Sequence, residues 1–504
     1  MTVPSESDAA ASSLRVVIAT SETVPFSKTG GLADVSSALS KALSKRGAEV
    51  SLFVPMHRMP TGKDLPQVHD TGLRFDVSVG KDTVPATVHW TEFPDSQVRI
   101  FFIVQPDYFD RDALYGDQSG DYGDNCARFV FFSRAVMEAT RRLVLRPHVV
   151  HCNDWQTGLI PVLLEAEYRG TSGFENTASV FTIHNLAYQG QFWHFDMEMT
   201  GIDWGYFNWT QMESHGNLNL MKTGLSLADR ITTVSPTYAK EIQTEEFGNG
   251  LEGVLQHRSD KLSGILNGID VAEWNPATDP LISDNFDIQS FPTNKPKCKR
   301  VLQEAFGLPQ RGDVPLVGMV SRMSTQKGFD IIAEAAPIFL RHDLQLCILG
   351  TGDPSCEAMA RGLAEKYPDK VSVQLAFNEQ IAHRIEAGSD VFLMPSRYEP
   401  CGLNQMYSLA YGTLPLVRAT GGLADSVVDA TPANVLADLA TGFMFHEYSG
   451  SALAVAFDRM LVAYSDQEAW HRMVRTGMQQ DFSWDRSAAE YEQVYADAIK
   501  DCHV

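Results

Sequence analysis

Arg322 and Lys327 stand five residues apart in SRMSTQKG, directly after the apolar run Leu316–Val320. Two cations on a loop leaving a sheet edge can clamp a diphosphate, Arg with a planar fork of donors and Lys with a point charge. Lys28 precedes Thr29, Gly30 and Gly31 in KTGGLADV. Paired glycines let backbone come close to a ligand, and free N–H groups at a helix start favour an anion. Glu399 lies in PSRYEPCGLNQ, beside the amides of Gly402 and Leu403. Its carboxylate could hold sugar hydroxyls while a phosphate meets those amides. His184 and Asn185 in TIHNLAYQG, Asp154 in HCNDW and Asn267 in LNGID all follow short apolar runs. Each of these residues also fits a plainer role, as a solvated basic turn, a capping acid or a satisfied loop residue. Cys401 reads as a small buried residue rather than a nucleophile. The loop at Lys28 is not a Walker loop. Leu349-Gly350-Thr351-Gly352 is not a dinucleotide fingerprint either, because Ser355 occupies the third glycine position.

Elements that would place these residues follow from hydrophobic pattern. Arg15–Thr20 is a β-branched run, followed by the glycine loop and a helical stretch to Gly47, which makes a β-loop-α unit. Leu73–Val79 and Val98–Val104 suggest a hairpin or meander inserted beside the main sheet. Val149–Cys152, Ser179–Thr182 and Ile231–Val234 read as buried parallel strands. A second alternating block holds Leu316–Val320, Leu346–Leu349, Val371–Leu375, Val391–Met394 and Leu414–Val417, each separated by helix-length sequence. Two doubly wound α/β units are therefore expected. Asp279–Pro315, rich in Pro, Asn, Asp and Lys and low in period, reads as a loop-rich linker, and helices are expected from Ser451 onward. The hexapeptide TGGLAD occurs at Thr29–Asp34 and again at Thr420–Asp425. This suggests one glycine-loop solution used at two strand ends, where open α/β sheets bind ligands.

Composition narrows the partners. Lys and Arg total 41 against 63 Asp and Glu, a formal net charge of -22. That balance disfavours nucleic acid and anionic membrane surfaces but leaves room for a small anion met by a few local cations. No apolar run approaches the roughly 20 residues of a membrane span. The seven cysteines form no CxxC pair, so reduced thiols in a cytoplasmic protein are expected, with no disulfide framework and no metal site. The first residues carry acids and no base before Arg15, unlike a secretory or transit segment.

As a set, KTGGLADV, HCNDW, HNLAYQG, ADRITTVSPTYAKEI, LNGID, SRMSTQKG, PSRYEPCGLNQ, TGGLADSV and FSWDRSA resemble the bacterial glycogen synthases and plant starch synthases, glycosyltransferase family five with the GT-B fold. They run in the family's order from about Leu14 to Tyr495. The resemblance implies two Rossmann-like domains facing an interdomain cleft. A tail would occupy 1–13, an N-terminal acceptor-side domain 14–270, a C-terminal nucleotide-sugar domain 271–482, and a helix over 483–504 would cross back. It implies transfer of glucose from ADP-glucose to the non-reducing end of an α-1,4-glucan, with retention at the anomeric carbon and without metal or cofactor. Lys28 and Gly31 would meet the donor diphosphate from one side and Arg322 and Lys327 from the other. Glu399 would hold glucose hydroxyls, with Cys401, Gly402, Leu403 and the second loop, Thr420, Gly421 and Gly422, around the donor. His184 and Asn267 would line the glucose site and Asp154 would sit toward the acceptor. Many GT-B enzymes carry a second Glu eight residues after the first; here that position is Tyr407.

Glycoside hydrolases need two paired carboxylates, and only Glu399 stands out here, with Asp154 second. Same-face substitution, the departing phosphate taking the acceptor's proton, is therefore expected over a covalent glycosyl-enzyme. Competing readings are a disaccharide-forming transferase, a non-catalytic glucan-binding relative and, more distantly, a nicotinamide dehydrogenase.

Overall fold

The computed structural model describes residues 13–60, 65–117 and 119–502. The tail expected over 1–13 lies, Ser13 apart, outside the described residues. The chain forms two compact units. One holds the residues up to Val234 with Ala239–Ile265 and Trp484 onward; the other holds Ser235–Tyr238 with Leu266–Ser483.

The first unit is built on one nine-stranded sheet. Its strands are β1 (Arg15–Ala19), β2 (Glu49–Pro55), β3 (His69–Val79), β4 (Asp82–Glu92), β5 (Arg99–Val104), β6 (Val149–Asn153), β7 (Ala178–Ile183), β8 (Arg230–Thr233) and β9 (Leu262–Gly264). They lie in the order β9-β8-β7-β6-β1-β2-β5-β4-β3. β1, β2, β6 and β7 are buried almost throughout, as parallel strands covered on both faces must be. β3 alternates toward its end, and β3 and β4 pair antiparallel with each other. The expected meander is thus not beside the main sheet but continuous with it, because β5 runs parallel to β2 and antiparallel to β4. Helix α1 (Gly31–Lys45) buries Leu32, Val35, Leu39 and Leu43, a 3.6-residue stripe, and carries Asp34 in its first turn and Lys45 in its last, as the helix dipole favours. The helix Trp484–Cys502 packs Trp484, Ala488, Tyr491 and Tyr495 into the same core, and Tyr495 Oη lies 2.8 Å from His151 Nδ1 in β6.

The second unit has a six-stranded parallel sheet of β10 (Leu316–Val320), β11 (Gln345–Leu349), β12 (Val371–Gln374), β13 (Val391–Met394), β14 (Leu414–Arg418) and β15 (Phe443–Phe445), in the order β12-β11-β10-β13-β14-β15. The linker expected over Asp279–Pro315 contains a fifteen-residue helix, α2 (Phe291–Ala305), against expectation. Its apolar period is hidden because its buried face carries Lys295 and Lys299. Lys295 Nζ donates to the carbonyls of Ala387 and Tyr411 and to Thr413 Oγ1, and Lys299 pairs with Asp390 at 2.7 Å. Hydrophobicity alone reads such lysines as a solvated face. No helix among the described residues is long and apolar enough to cross a membrane.

Both sheets place their candidate loops by topology. In the first unit, the chain leaves β1 toward β2 on one side and returns to β6 on the other. In the second, it leaves β10 toward β11 and returns to β13. The KTGG and HCNDW segments therefore flank one switch point, and the SRMSTQKG and PSRYEPCG segments flank the other. A crevice opens there at the carboxyl ends of the strands.

Candidate active site

In the second unit, Arg322, Lys327, Glu399, Gly402 and Leu403 line a common pocket of about 180 Å³ with Met319, Ser396 and Asn404. Lys327 Nζ lies 2.6 Å from Glu399 Oε2, and Ser396 Oγ donates to the same oxygen at 2.9 Å. Glu399 is 6% exposed, so these two partners rather than water satisfy its carboxylate. The exposed Arg322 donates to Gln326 Oε1 at 3.2 Å. Lys327 closes a short 3₁₀ turn that ends at Gly328, whose φ is 81°. A Cβ at Gly328 would stand 2.1 Å from the carbonyl oxygen of Pro395, so the cationic loop and the glutamate loop touch backbone to backbone.

Burial pushes the Cys401 thiol up to about 12, which leaves it protonated at neutral pH and unfit as a nucleophile. The Asn267 backbone bonds to this thiol. Asn267 itself is 5% exposed, and its Oδ1 is buried without a hydrogen-bond partner. A ligand donor is a natural partner for such an orphaned acceptor. Tyr407, at the second-Glu position, stacks on Trp274 at 3.8 Å.

The two TGGLAD copies do different work. A Cβ at Gly421 would meet Glu399 O at 1.9 Å, and one at Gly422 would meet Cys401 O at 2.0 Å. Those glycines are filled by the glutamate loop, and Gly422 N donates to Glu399 O at 3.2 Å. Thr420 is fully buried beside them. Gly30 and Gly31 have nothing within 4 Å of a Cβ, so the first loop is open to an approaching group. Asp34 of the first copy pairs with Lys28 at 2.8 Å, whereas Asp425 of the second accepts from Thr237 N at 2.8 Å.

In the first unit, Asp154 directly follows β6 with φ 55° and accepts the His184 amide on Oδ1 at 2.7 Å. Desolvation, with the Glu22 carboxylate adding repulsion, holds the Asp154 carboxyl up to about 7 against amide bonds from His184 and Asn185. The His184 ring lies 2.9 Å from Asn153 Oδ1, while Asn153 Nδ2 donates to Ala19 O at 3.0 Å. His184 Nε2 is thus the donor, and desolvation pushes the imidazole down to about 3, so it is neutral.

Sequence reasoning missed Glu22 and Tyr115. Glu22, 3% exposed, accepts from the Thr29 and Gly30 amides, from Thr29 Oγ1 at 3.0 Å and from Tyr115 Oη at 3.0 Å. Burial pushes its carboxyl up, and these bonds pull it partly back. The available signal was an acid six residues before Lys28, between a strand end and a glycine loop. Nothing local marks Tyr115. The aromatic loops also resolve: Trp193, Phe195, Trp204 and Trp209 are 61%, 50%, 45% and 78% exposed, and Trp193 meets Phe195 at 4.7 Å. They form an apolar surface on the first unit rather than core packing.

Two Rossmann-like units, each with polar loops at its switch point, define a glycosyltransferase of the GT-B class. Comparison with known proteins agrees. Residues 15–257 match the starch synthase catalytic domain family, and residues 303–479 match the glycosyl transferases group 1 family. A glycogen synthase of Anaeromyxobacter sp. (strain Fw109-5) is 45% identical over 96% of this chain and 99% of its own length. One from Rhodopirellula baltica is 42% identical over 96% and 98%. The catalytic domain of starch synthase IV from Arabidopsis thaliana, solved with ADP and acarbose, superposes with a TM-score of 0.88 at 32% identity over 97% of this chain and 100% of that one. Sucrose-phosphate synthase from Thermosynechococcus elongatus, 18% identical with a TM-score of 0.59, shares the fold. The chain belongs to the glycogen synthase and starch synthase family, hexosyltransferases of the GT-B fold.

Proposed function

We propose that this chain transfers glucose from ADP-glucose to the non-reducing end of an α-1,4-glucan with retention of anomeric configuration. The observation that carries the reading is the Lys327–Glu399 pair with Ser396 in a pocket that Arg322 also lines. As the glucosyl C1 becomes oxocarbenium-like, negative charge grows on the leaving diphosphate. Arg322 and Lys327 stabilise that charge, and we assign Lys28 and the Gly31 amide a share in it. Fixed cations need no reorganisation as the charge develops. Glu399, once Lys327 turns to phosphate, accepts glucose hydroxyls, with Asn267 Oδ1 as a second acceptor. Cys401, Gly402, Leu403 and Thr420–Gly422 shape the donor pocket.

His184, neutral with Nε2–H committed to Asn153, serves as a positioned polar wall rather than a general acid. Asp154, with a carboxyl near 7, is a poor nucleophile while protonated, which favours same-face substitution over a covalent intermediate. The departing phosphate then takes the acceptor hydroxyl's proton. The exposed tryptophans of the first unit suit stacking on glucan rings. ADP in the starch synthase IV structure supports the adenine nucleotide, and acarbose there supports a sugar-chain acceptor. Seven free cysteines suit a reducing compartment, the cytoplasm.

Transfer of labelled glucose to glycogen, with ADP-glucose and UDP-glucose side by side, tests the reading in wild type and Glu399→Ala. Incorporation from ADP-glucose, lost in the variant, is expected. Incorporation only from UDP-glucose overturns the donor assignment, and none from either overturns the activity.

A further inference from the structure

Apart from the donor pocket, the second unit holds a buried histidine with one unpartnered ring nitrogen. Trp274 lies between His383 and Tyr407, 3.9 Å from the first ring and 3.8 Å from the second, at interplanar angles of 14° and 9°. This stack fixes the plane of the imidazole. Its rotation within that plane is fixed by Asp279. Asp279 Oδ2 lies 2.8 Å from His383 Nδ1 and accepts from Tyr411 Oη at 2.6 Å, while Oδ1 accepts the Leu281 amide at 2.8 Å. With Asp279 accepting from Tyr411 and Leu281, its contact with Nδ1 assigns the ring hydrogen to that nitrogen. The other nitrogen, Nε2, is buried and without a hydrogen-bond partner, in a residue 2% exposed.

A ring nitrogen of His383 and one carboxylate oxygen from each of Glu273 and Glu379 lie within 4.8 Å of one another. With Nδ1 held by Asp279, Nε2 is the nitrogen that can serve them. Glu379 and His383 are the first and fifth residues of helix α3 (Glu379–Gly388), so they share a face. Glu273 comes from the turn that leads to Trp274. A carboxylate behind the imidazole, fixing its tautomer, is the usual support of a metal-bound histidine.

We propose that Glu273, Glu379 and His383 Nε2 bind a divalent transition-metal ion of the zinc class. One imidazole with two carboxylates suits such an ion better than Mg²⁺ or Ca²⁺, which take oxygen donors alone. Metal–ligand distances of about 2.0–2.2 Å put tetrahedral donors roughly 3.4 Å apart, so donors that now lie within 4.8 Å of one another close in by at most about 1.4 Å on binding. Both glutamates are exposed, whereas the histidine is buried and held by its stack and by Asp279. A bound ion ties the 270–274 turn to α3 and tightens the Trp274 stack on Tyr407, which belongs to the helix Asn404–Ala410 that follows the Glu399 loop. The role is structural and independent of the donor chemistry.

The test is calorimetric titration of the chelator-treated full-length protein with Zn²⁺, with Co²⁺ absorption to report the ligand field. Wild type, Glu273→Gln and Glu379→Gln are compared; both substitutions are on the surface and spare the buried histidine. One ion per chain is expected, with an affinity loss of about tenfold or more in each variant. At one fixed Zn²⁺ concentration, the rise in melting temperature should be clearly smaller in both variants than in wild type. No saturable uptake, or uptake that survives both substitutions, overturns the proposal, since the ion would then be absent or held by cysteines elsewhere.

Discussion

Replacing Lys327 with Ala tests whether this lysine neutralises Glu399, serves the leaving group, or does both. Two unit charges 2.6 Å apart attract by roughly 6 kcal/mol at an effective dielectric constant near 20, an upper limit because desolvation of both groups opposes it. Removing one partner of a buried pair costs about 3–5 kcal/mol. The Lys327 side chain is 22% exposed, so water screens part of the attraction, and about 2 kcal/mol is expected after that screening. For a unit of this size, that loss lowers the melting temperature by about 4–8 °C. Lys327→Ala/Glu399→Gln removes the stranded charge and should recover at least half of the drop, since Ser396 can still donate to the amide oxygen. Activity should behave differently. Turnover in glucose incorporation is expected to fall about 10²–10³-fold in Lys327→Ala and to stay down in the double variant, because the cation proposed to face the diphosphate is gone in both. Melting of Lys327→Ala at the wild-type temperature would refute the buried-pair argument. Recovery of activity in the double variant would refute the leaving-group role, leaving Lys327 as a counterion alone.

Further outcomes follow from the same geometry. Asp154 has its carboxyl raised from 3.8 to about 7, so the folded state binds the proton more tightly than the unfolded chain and loses stability as pH rises across that window. Asp154→Asn should therefore gain melting temperature over wild type progressively between those two values and hold a constant lead above them; a lead independent of pH would contradict the assignment. Gly421→Ala, whose Cβ would stand 1.9 Å from Glu399 O at φ 44°, should destabilise by more than about 2 kcal/mol and abolish transfer. Gly31→Ala, with nothing within 4 Å, should melt like wild type yet raise the KM for the donor; an unchanged KM would remove Gly31 from the phosphate site. Cys401→Ser, replacing a thiol pushed up to about 12, should keep turnover within about tenfold, whereas a loss of about 10³ would indicate covalent catalysis by sulfur.

Much of the fold was legible because parallel strands buried on both faces write themselves as short apolar runs. Val149–Cys152, Leu316–Val320 and Val391–Met394 lie in strands of the sheets, and each of these is followed by a candidate loop. Helix α2 was not legible, since Lys295 and Lys299 satisfy buried carbonyls and an aspartate while looking like solvent-facing residues. The residue types able to meet phosphate and sugar were likewise readable, because charge, glycine and carboxylate are local properties. What each does in the folded chain was not. The same six letters, TGGLAD, give an open loop at Gly30 and Gly31 and a loop packed shut by Glu399 and Cys401 at Gly421 and Gly422. Glu22 and Tyr115, and the stack that fixes the His383 ring, join residues 93 and 133 positions apart (Glu22 to Tyr115, and Trp274 to Tyr407). Residue chemistry and strand period are written along the chain, but burial, and with it the charge state of Asp154, the neutrality of His184 and the partner of Lys327, depends on which distant segments exclude water, and only the tertiary structure decides that.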